Sequence, residues 1–435
     1  METPPPADEA AEASQLASRG RDIRRSLSGA TVRHNFLYLV GIGGSGAGVL
    51  VAQSYGAHHL STAANGASTS VVAVLNLLYT TTYVVAAGCA RDVAAAAAQG
   101  LAAESQWHRL RQSTWRLGLV LGGAMIPIDV VLALLLHLQD PWILSQTVAA
   151  GPIAAIGGAQ RGYLQGAREF GRLAINFLAY GLTMVVLSVV LLQLGLGPIA
   201  VPLASVAGAL GSAAYPWHRR TEPPPHAARS GPLVDATVLA GAATAPIFNN
   251  IDVVAARHVL TPTAAGLYSG LSVMGKILFF GTSSLSAVMY PRIAAAASPR
   301  DRRRLLAQTA SVLLIVDLVV LGAYATLAHP LLGIILGRRY EADAGLLVLF
   351  STGIVGLTVV NLLVYYSMGS RHRSFALVPG VGVPILIGWL FTSPPELAAF
   401  VPRIASALLV LAALEALVVL PGLLRQPARR PAAGR

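Results

Sequence analysis

The sequence predicts an all-α polytopic membrane protein: about twelve transmembrane helices in two six-helix halves around a central cavity. Three observations carry that prediction. Apolar runs of membrane-crossing length recur from one end of the chain to the other. Only 11% of the 435 residues are charged, against 54% hydrophobic. The short gaps between the runs are alternately arginine-rich and arginine-poor. A hydrocarbon core of ~30 Å takes ~20 apolar residues in helix to cross, and a soluble domain carries ~25% charged residues. This chain has too little charge to clothe a water-facing surface.

The runs fall at 36–55, 68–87, 117–136, 143–159, 173–192 and 198–215, then at 233–255, 264–290, 310–327, 344–368, 375–391 and 404–420. All arginines but four lie in the N-terminal tail, in the gaps after even-numbered runs, or in the C-terminal tail. The four exceptions are Arg257, Arg338, Arg339 and Arg403. The positive-inside bias then puts both termini in the cytoplasm, with twelve crossings of the cell membrane. It also accounts for the net charge of +12, so nucleic acid is not an expected partner.

The longest interruption, around Pro223-Pro224-Pro225, divides the chain near its midpoint. The expected organisation is a disordered cytoplasmic tail at 1–34, a six-helix half at 35–216 and a cytoplasmic linker at 217–232. A second six-helix half at 233–424 and a basic cytoplasmic tail at 425–435 complete it. Ala64-Asn65-Gly66 recurs, shifted by 200 residues, as Ala264-Ala265-Gly266, each time opening an even-numbered run. That echo suggests duplication, with the halves related by an axis along the membrane normal and a solute path between them.

Several motifs point to other chemistries and fail. Gly41-Ile42-Gly43-Gly44-Ser45-Gly46 fits the dinucleotide fingerprint, but it sits inside an apolar run and the next acid is Asp92. Small residues that allow close helix packing explain it better. His58-His59 has no neighbouring acid or cysteine, and Cys89 is the only cysteine, so neither a metal centre nor a disulfide is expected. No phosphate-loop lysine motif and no nucleophile-base cluster is present, so neither an enzyme nor a bound cofactor is predicted.

The informative residues are ionisable groups inside the runs, which are costly unless they meet a partner or a wet cavity. Asp129, Asp252 and Lys276 are the main candidates for a substrate or ion path, with Asn249 three residues before Asp252 on the same helix face. Asp317 and Glu415 are further candidates. Lys276 is the only lysine in the chain. Asp252 is expected to line the cavity ~9 Å below the outer surface, with Lys276 ~9 Å deeper.

Phe248-Asn249-Asn250-Ile251-Asp252, then Gly266-Leu267-Tyr268-Ser269, Lys276 and Tyr290-Pro291-Arg292-Ile293, resemble a known pattern. It is that of helices seven and eight in polysaccharide-biosynthesis flippases of the multidrug/oligosaccharidyl-lipid/polysaccharide exporter superfamily. The resemblance implies movement of a lipid-linked oligosaccharide or polysaccharide precursor from the inner to the outer leaflet by alternating access. Lys276 would hold the pyrophosphate, and a carboxylate would take a coupling proton or sodium ion. Glycosyltransferases or a polymerase of the same pathway would be partners in the bilayer. A cation-coupled drug or metabolite antiporter of the same superfamily is the alternative. A non-transporting scaffold of a glycan-assembly complex is the alternative of another class.

Overall fold

The computed structural model describes residues 29–98, 104–214, 236–296, 298–370 and 381–425. They form α1 (Gly29–His59), α2 (Thr62–Ala98), α3 (Glu104–Leu135), α4 (Gln146–Gly166), α5 (Phe170–Gln193) and α6 (Ala200–Ala214). Six more follow: α7 (Ala236–Val259), α8 (Pro262–Ala295), α9 (Pro299–Ile335), α10 (Ala344–Ser370), α11 (Val383–Phe391) and α12 (Leu397–Arg425). No strand occurs among the described residues. Ten of these helices, all but α7 and α11, are long and apolar enough to cross a membrane. The chain is a multi-pass, all-helical membrane protein.

Each apolar run meets one helix, and most of the helices outrun their runs. Hydropathy registers only the stretch that crosses hydrocarbon, and a helix can continue into water with polar residues at no penalty. The expected tail at 1–34 is therefore shortened from its inner end, because residues 29–34 belong to α1. The rest of that tail, the linker at 217–232 and the basic tail beyond Arg425 lie outside the described residues. Arginines assigned to gaps are likewise helical: Arg91 is in α2, Arg161 in α4 and Arg292 in α8, while Arg300–Arg304 open α9.

Local chemistry sets the helix ends. Pro262 follows the cap Thr261, whose side chain accepts from the Ala264 amide. Ser298 caps α9 in the same way, through the Asp301 amide at 3.1 Å, with Pro299 in the first turn. Serine or threonine before a first-turn proline satisfies amides that the helix leaves free. At the far end of α9, Gly337 takes φ +101°; two hundred residues earlier, His137 takes φ +47° just past α3.

Packing follows from small residues. In lipid there is little hydrophobic drive between helices, so close approach and dispersion hold them together. On α4, Gly158, Gly162 and Gly166 stand four apart and meet α2 at Thr82, Ala86 and Ala90. A Cβ built on them would lie 2.5–2.7 Å from those three carbonyl oxygens. On α1, Gly41 and Gly48 meet Ala174 and Gly181 of α5 at 2.7 Å. The glycine-rich stretch read from the sequence is a helix-packing face. The largest apolar cluster lies in α7–α12 and takes in Ala57, Ala73, Val74, Met125 and Leu136 from the first six helices. Helix α10 is 72% buried along its membrane stretch, whereas α3 and α9 are only 17% buried; α10 is central and the other two face lipid.

Candidate transport site

Helix α8 presents Tyr268, Ser272 and Lys276 at four-residue spacing, on one face. All three donate to one carboxylate on α7. Lys276 Nζ lies 3.0 Å from Asp252 Oδ1; Tyr268 Oη and Ser272 Oγ lie 2.8 and 3.0 Å from Oδ2. Asp252 is 2% exposed and Lys276 8%. The ~9 Å offset expected from helix rise is spanned by the lysine stem. Lys276 thus has a carboxylate counter-ion at the position where the family resemblance implies a pyrophosphate. Asp252 and Asn249 lie inside the bundle. Both are buried, as is Val253 on the neighbouring face. Asn250 accepts from Asn76 of α2 at 3.2 Å.

The other carboxyls do not join this cluster. Asp129 on α3 accepts from Thr147 of α4 at 2.6 Å, and its second oxygen has no partner. Asp317 on α9 is fully buried and accepts from Thr358 of α10 at 2.8 Å. Glu415 on α12 is fully buried with neither oxygen bonded. Among the described residues no group of three or more His, Cys, Asp or Glu is placed to hold a metal ion.

A belt of contacts joins the first six helices to the last six at the arginine-poor end. His58 reaches the Ile334 carbonyl at 3.3 Å, and His258 reaches the Leu135 carbonyl at 2.9 Å. Arg257 donates to the carbonyls of Leu136 (3.0 Å) and His137 (3.4 Å). Arg339 donates to those of Leu60 (2.7 Å) and His58 (3.2 Å). Asn65 donates to Tyr340 Oη at 3.0 Å, and Ser54 to the Ile335 carbonyl. Two of the four arginines on the wrong side of the charge bias thus bind carbonyl groups at helix ends, where the helix dipole favours a cation. Their place in the belt explains their place in the sequence.

Sequence reasoning missed a second polar centre because it counted Arg161 with the gap arginines. Its Nε donates to Asn176 Oδ1 at 2.9 Å, and its guanidinium lies 4.4 Å from the Phe177 ring centroid. Asn176 is itself fixed by donating to the Ser212 carbonyl at 2.8 Å. Tyr38, Tyr79, Tyr83 and Tyr180 are electrostatic neighbours of the guanidinium. An arginine five residues before the end of a membrane-buried helix, with tyrosines in the facing runs, was the available signal.

No protein-family model and no curated protein matches the chain. Solved structures do. An inward-facing multidrug resistance MATE family transporter of the MOP superfamily superposes with a TM-score of 0.69 at 12% identity, over 89% of this chain and 94% of that one. The eukaryotic MATE transporter AtDTX14 gives 0.63 at 14% identity, over 92% and 96%. The chain has the MATE transporter fold. Against an outward-facing MATE conformation the TM-score is 0.60 at 13% identity, over 91% and 95%.

Proposed function

We propose that this chain is a membrane transporter that exports a small amphipathic organic solute by alternating access, in exchange for a proton or sodium ion. The observation that carries this reading is the belt between α1–α6 and α7–α12, confined largely to the arginine-poor end. The deepest cross-bond in it is Asn76 to Asn250. Two six-helix halves, 35–216 and 233–424, would rock about that belt. The arginine bias assigns the sealed end to the outside, which makes this an inward-facing state with both termini cytoplasmic. MATE neighbours captured inward- and outward-facing support the same cycle.

Asp252 is the coupling group in this reading. In the state described, its charge is balanced by Lys276 and its lone pairs are held by Tyr268 and Ser272. A cation arriving at Asp252 would compete with Lys276 and loosen α7 from α8, and α7 also carries the Asn250 contact across the bundle. The test is efflux of cationic and anionic fluorescent amphiphiles from proteoliposomes under an imposed proton or sodium gradient. Gradient-driven movement that disappears in Asp252→Asn supports the reading. No gradient-dependent movement of any probe in the native protein would sink it.

Export of a lipid-linked oligosaccharide is the second reading, supported by the pattern across α7 and α8. In the state described Lys276 is paired with Asp252, and Arg161 is a further cation available to it.

A further inference from the structure

We infer that Arg161 and the tyrosines around it form a binding site for the oxyanion head of an amphipathic anion, a phosphate or carboxylate on an apolar body. The argument begins with charge. Arg161 stands ~7.5 Å inside the end of α4, counting back from Gly166, and no carboxylate among the described residues pairs with it. A guanidinium inside an apolar helix bundle without a counter-ion is costly. A protein that needed only packing there would not place a charge.

The guanidinium is also held in a set orientation. Asn176 takes its Nε and is anchored on the Ser212 carbonyl, while Phe177 lies under the guanidinium plane. Among the described residues these contacts leave Nη1 and Nη2 without an acceptor, and the residue keeps part of its surface exposed. Two parallel N–H groups are the geometry that takes a phosphate or carboxylate bidentately.

The surroundings supply the rest. Tyr79 and Tyr83 are four apart on α2, so both project from one face. Tyr83 is 54% exposed. Tyr180 of α5 shares a hydrogen bond with Ser205 at 3.1 Å. Tyr38 of α1 packs edge-on to Phe177, with centroids 6.0 Å apart, and is an electrostatic neighbour of Tyr365 on α10. The site lies among α1, α4 and α5. Phenol hydroxyls can donate to an oxyanion, and the ring faces can hold a hydrocarbon or aromatic body. The inference deepens the transporter reading by giving its solute a negative head, and it rests on that reading for the direction of travel.

The test uses the full chain in nanodiscs of neutral phospholipid, titrated with decyl phosphate, inorganic phosphate and decyltrimethylammonium. Decyl phosphate should bind about tenfold more tightly than either of the others. Arg161→Met should lose about tenfold or more of that affinity, and Arg161→Lys less, because it keeps charge but not the fork. Asn176→Asp preserves shape and gives the guanidinium an internal counter-ion. It gives up the donation to the Ser212 carbonyl, so its melting temperature should fall somewhat, but the folded variant should still lose decyl phosphate, which covers the case in which Arg161→Met fails to fold. Native affinity in Asn176→Asp, or equal binding of the cationic probe, overturns the site. Doping the nanodiscs with a polyprenyl phosphate separates the sources. Competition with decyl phosphate assigns a lipid head, and its absence assigns a free organic anion. Binding without gradient-driven movement would undo the transporter reading alone. Native decyl phosphate transport in Arg161→Met would undo the site alone.

Discussion

Gly66 and Gly266 touch. A Cβ built on Gly66 would lie 2.8 Å from the Gly266 Cα, and one built on Gly266 would lie 1.9 Å from the Thr62 carbonyl oxygen. These are the residues that echo each other at a separation of 200. When two copies of a unit are related by a two-fold axis, only residues near the axis meet their own equivalents. The belt repeats the relationship one shell out: His58 reaches Ile334 at the end of α9, and His258 reaches Leu135 at the end of α3. The helix ends they reach correspond under the same shift, to within one residue. This is a strong argument for duplication, made by contacts and not by identities.

The pair should act as a spacer for the sealed end. Gly266→Val cannot be accommodated without parting α2 from α8, since the nearest atoms are backbone. Asn65 is 5% exposed beside this contact. In a background with Cys89 replaced by alanine, Asn65→Cys should react slowly with an impermeant thiol reagent. Adding Gly266→Val should speed the reaction several-fold. An unchanged rate would mean that the two glycines do not set the separation.

Arg257 and Arg339 should behave as independent latches on the same closed state. Each donates to two carbonyls across the bundle, and hydrogen bonds from a charged donor are worth ~1.5–3 kcal/mol. Arg257→Ala and Arg339→Ala should each raise Asn65→Cys reactivity by about tenfold or more if that energy holds the belt shut. Because they share no partner, their effects should add in the double variant. Strong non-additivity would make the belt a single cooperative unit.

The Asp252–Lys276 pair gives a stability prediction whose sign depends on how it is broken. Lys276→Met alone strands a buried carboxylate, and Asp252→Leu alone strands the ammonium. Each should cost ~3–5 kcal/mol. The double variant Asp252→Leu/Lys276→Met removes both charges and should recover most of the loss, leaving the Tyr268 and Ser272 hydroxyls to find new acceptors. Thermal unfolding in detergent reads all three. A double variant no more stable than the worse single one would show that the pair is held by more than charge balance.

The sequence was most legible where the physics is one-dimensional. Twelve apolar runs predict twelve helices, because crossing hydrocarbon takes a fixed length of apolar chain. The alternating arginines predict their order in the membrane, because charge is counted gap by gap. What depends on helix rotation was less legible. Hydropathy gave the span containing Lys276 but not the face shared with Tyr268 and Ser272, although their four-residue spacing is visible once Asp252 is taken as the focus. Arg161 was lost for a different reason: the apolar run ends near Ala159, but the helix continues to Gly166. The Gly158, Gly162, Gly166 row passed unnoticed because its register only has meaning against a named neighbour.

That row supplies the last prediction, and a control within the same helix. In an unstrained helix, Gly→Ala is favourable by ~0.5–1 kcal/mol through lost backbone entropy. Gly157 has room: its added Cβ would meet only the Ala213 Cβ, at 3.9 Å. Gly162, five residues on, points at α2, and its Cβ would lie 2.5 Å from the Ala86 carbonyl oxygen and 2.6 Å from the Cys89 Cβ. Both neighbours are fixed to helix backbone and cannot swing aside. Gly157→Ala should therefore unfold at or above the native temperature. Gly162→Ala should unfold below it, by an amount matching the ~1–3 kcal/mol typical of overpacking. It should also turn Arg161, the residue before it, away from Asn176, so decyl phosphate affinity should fall with stability in Gly162→Ala and hold in Gly157→Ala. Equal behaviour of the two variants would mean that α2 and α4 are not held together by glycine contact.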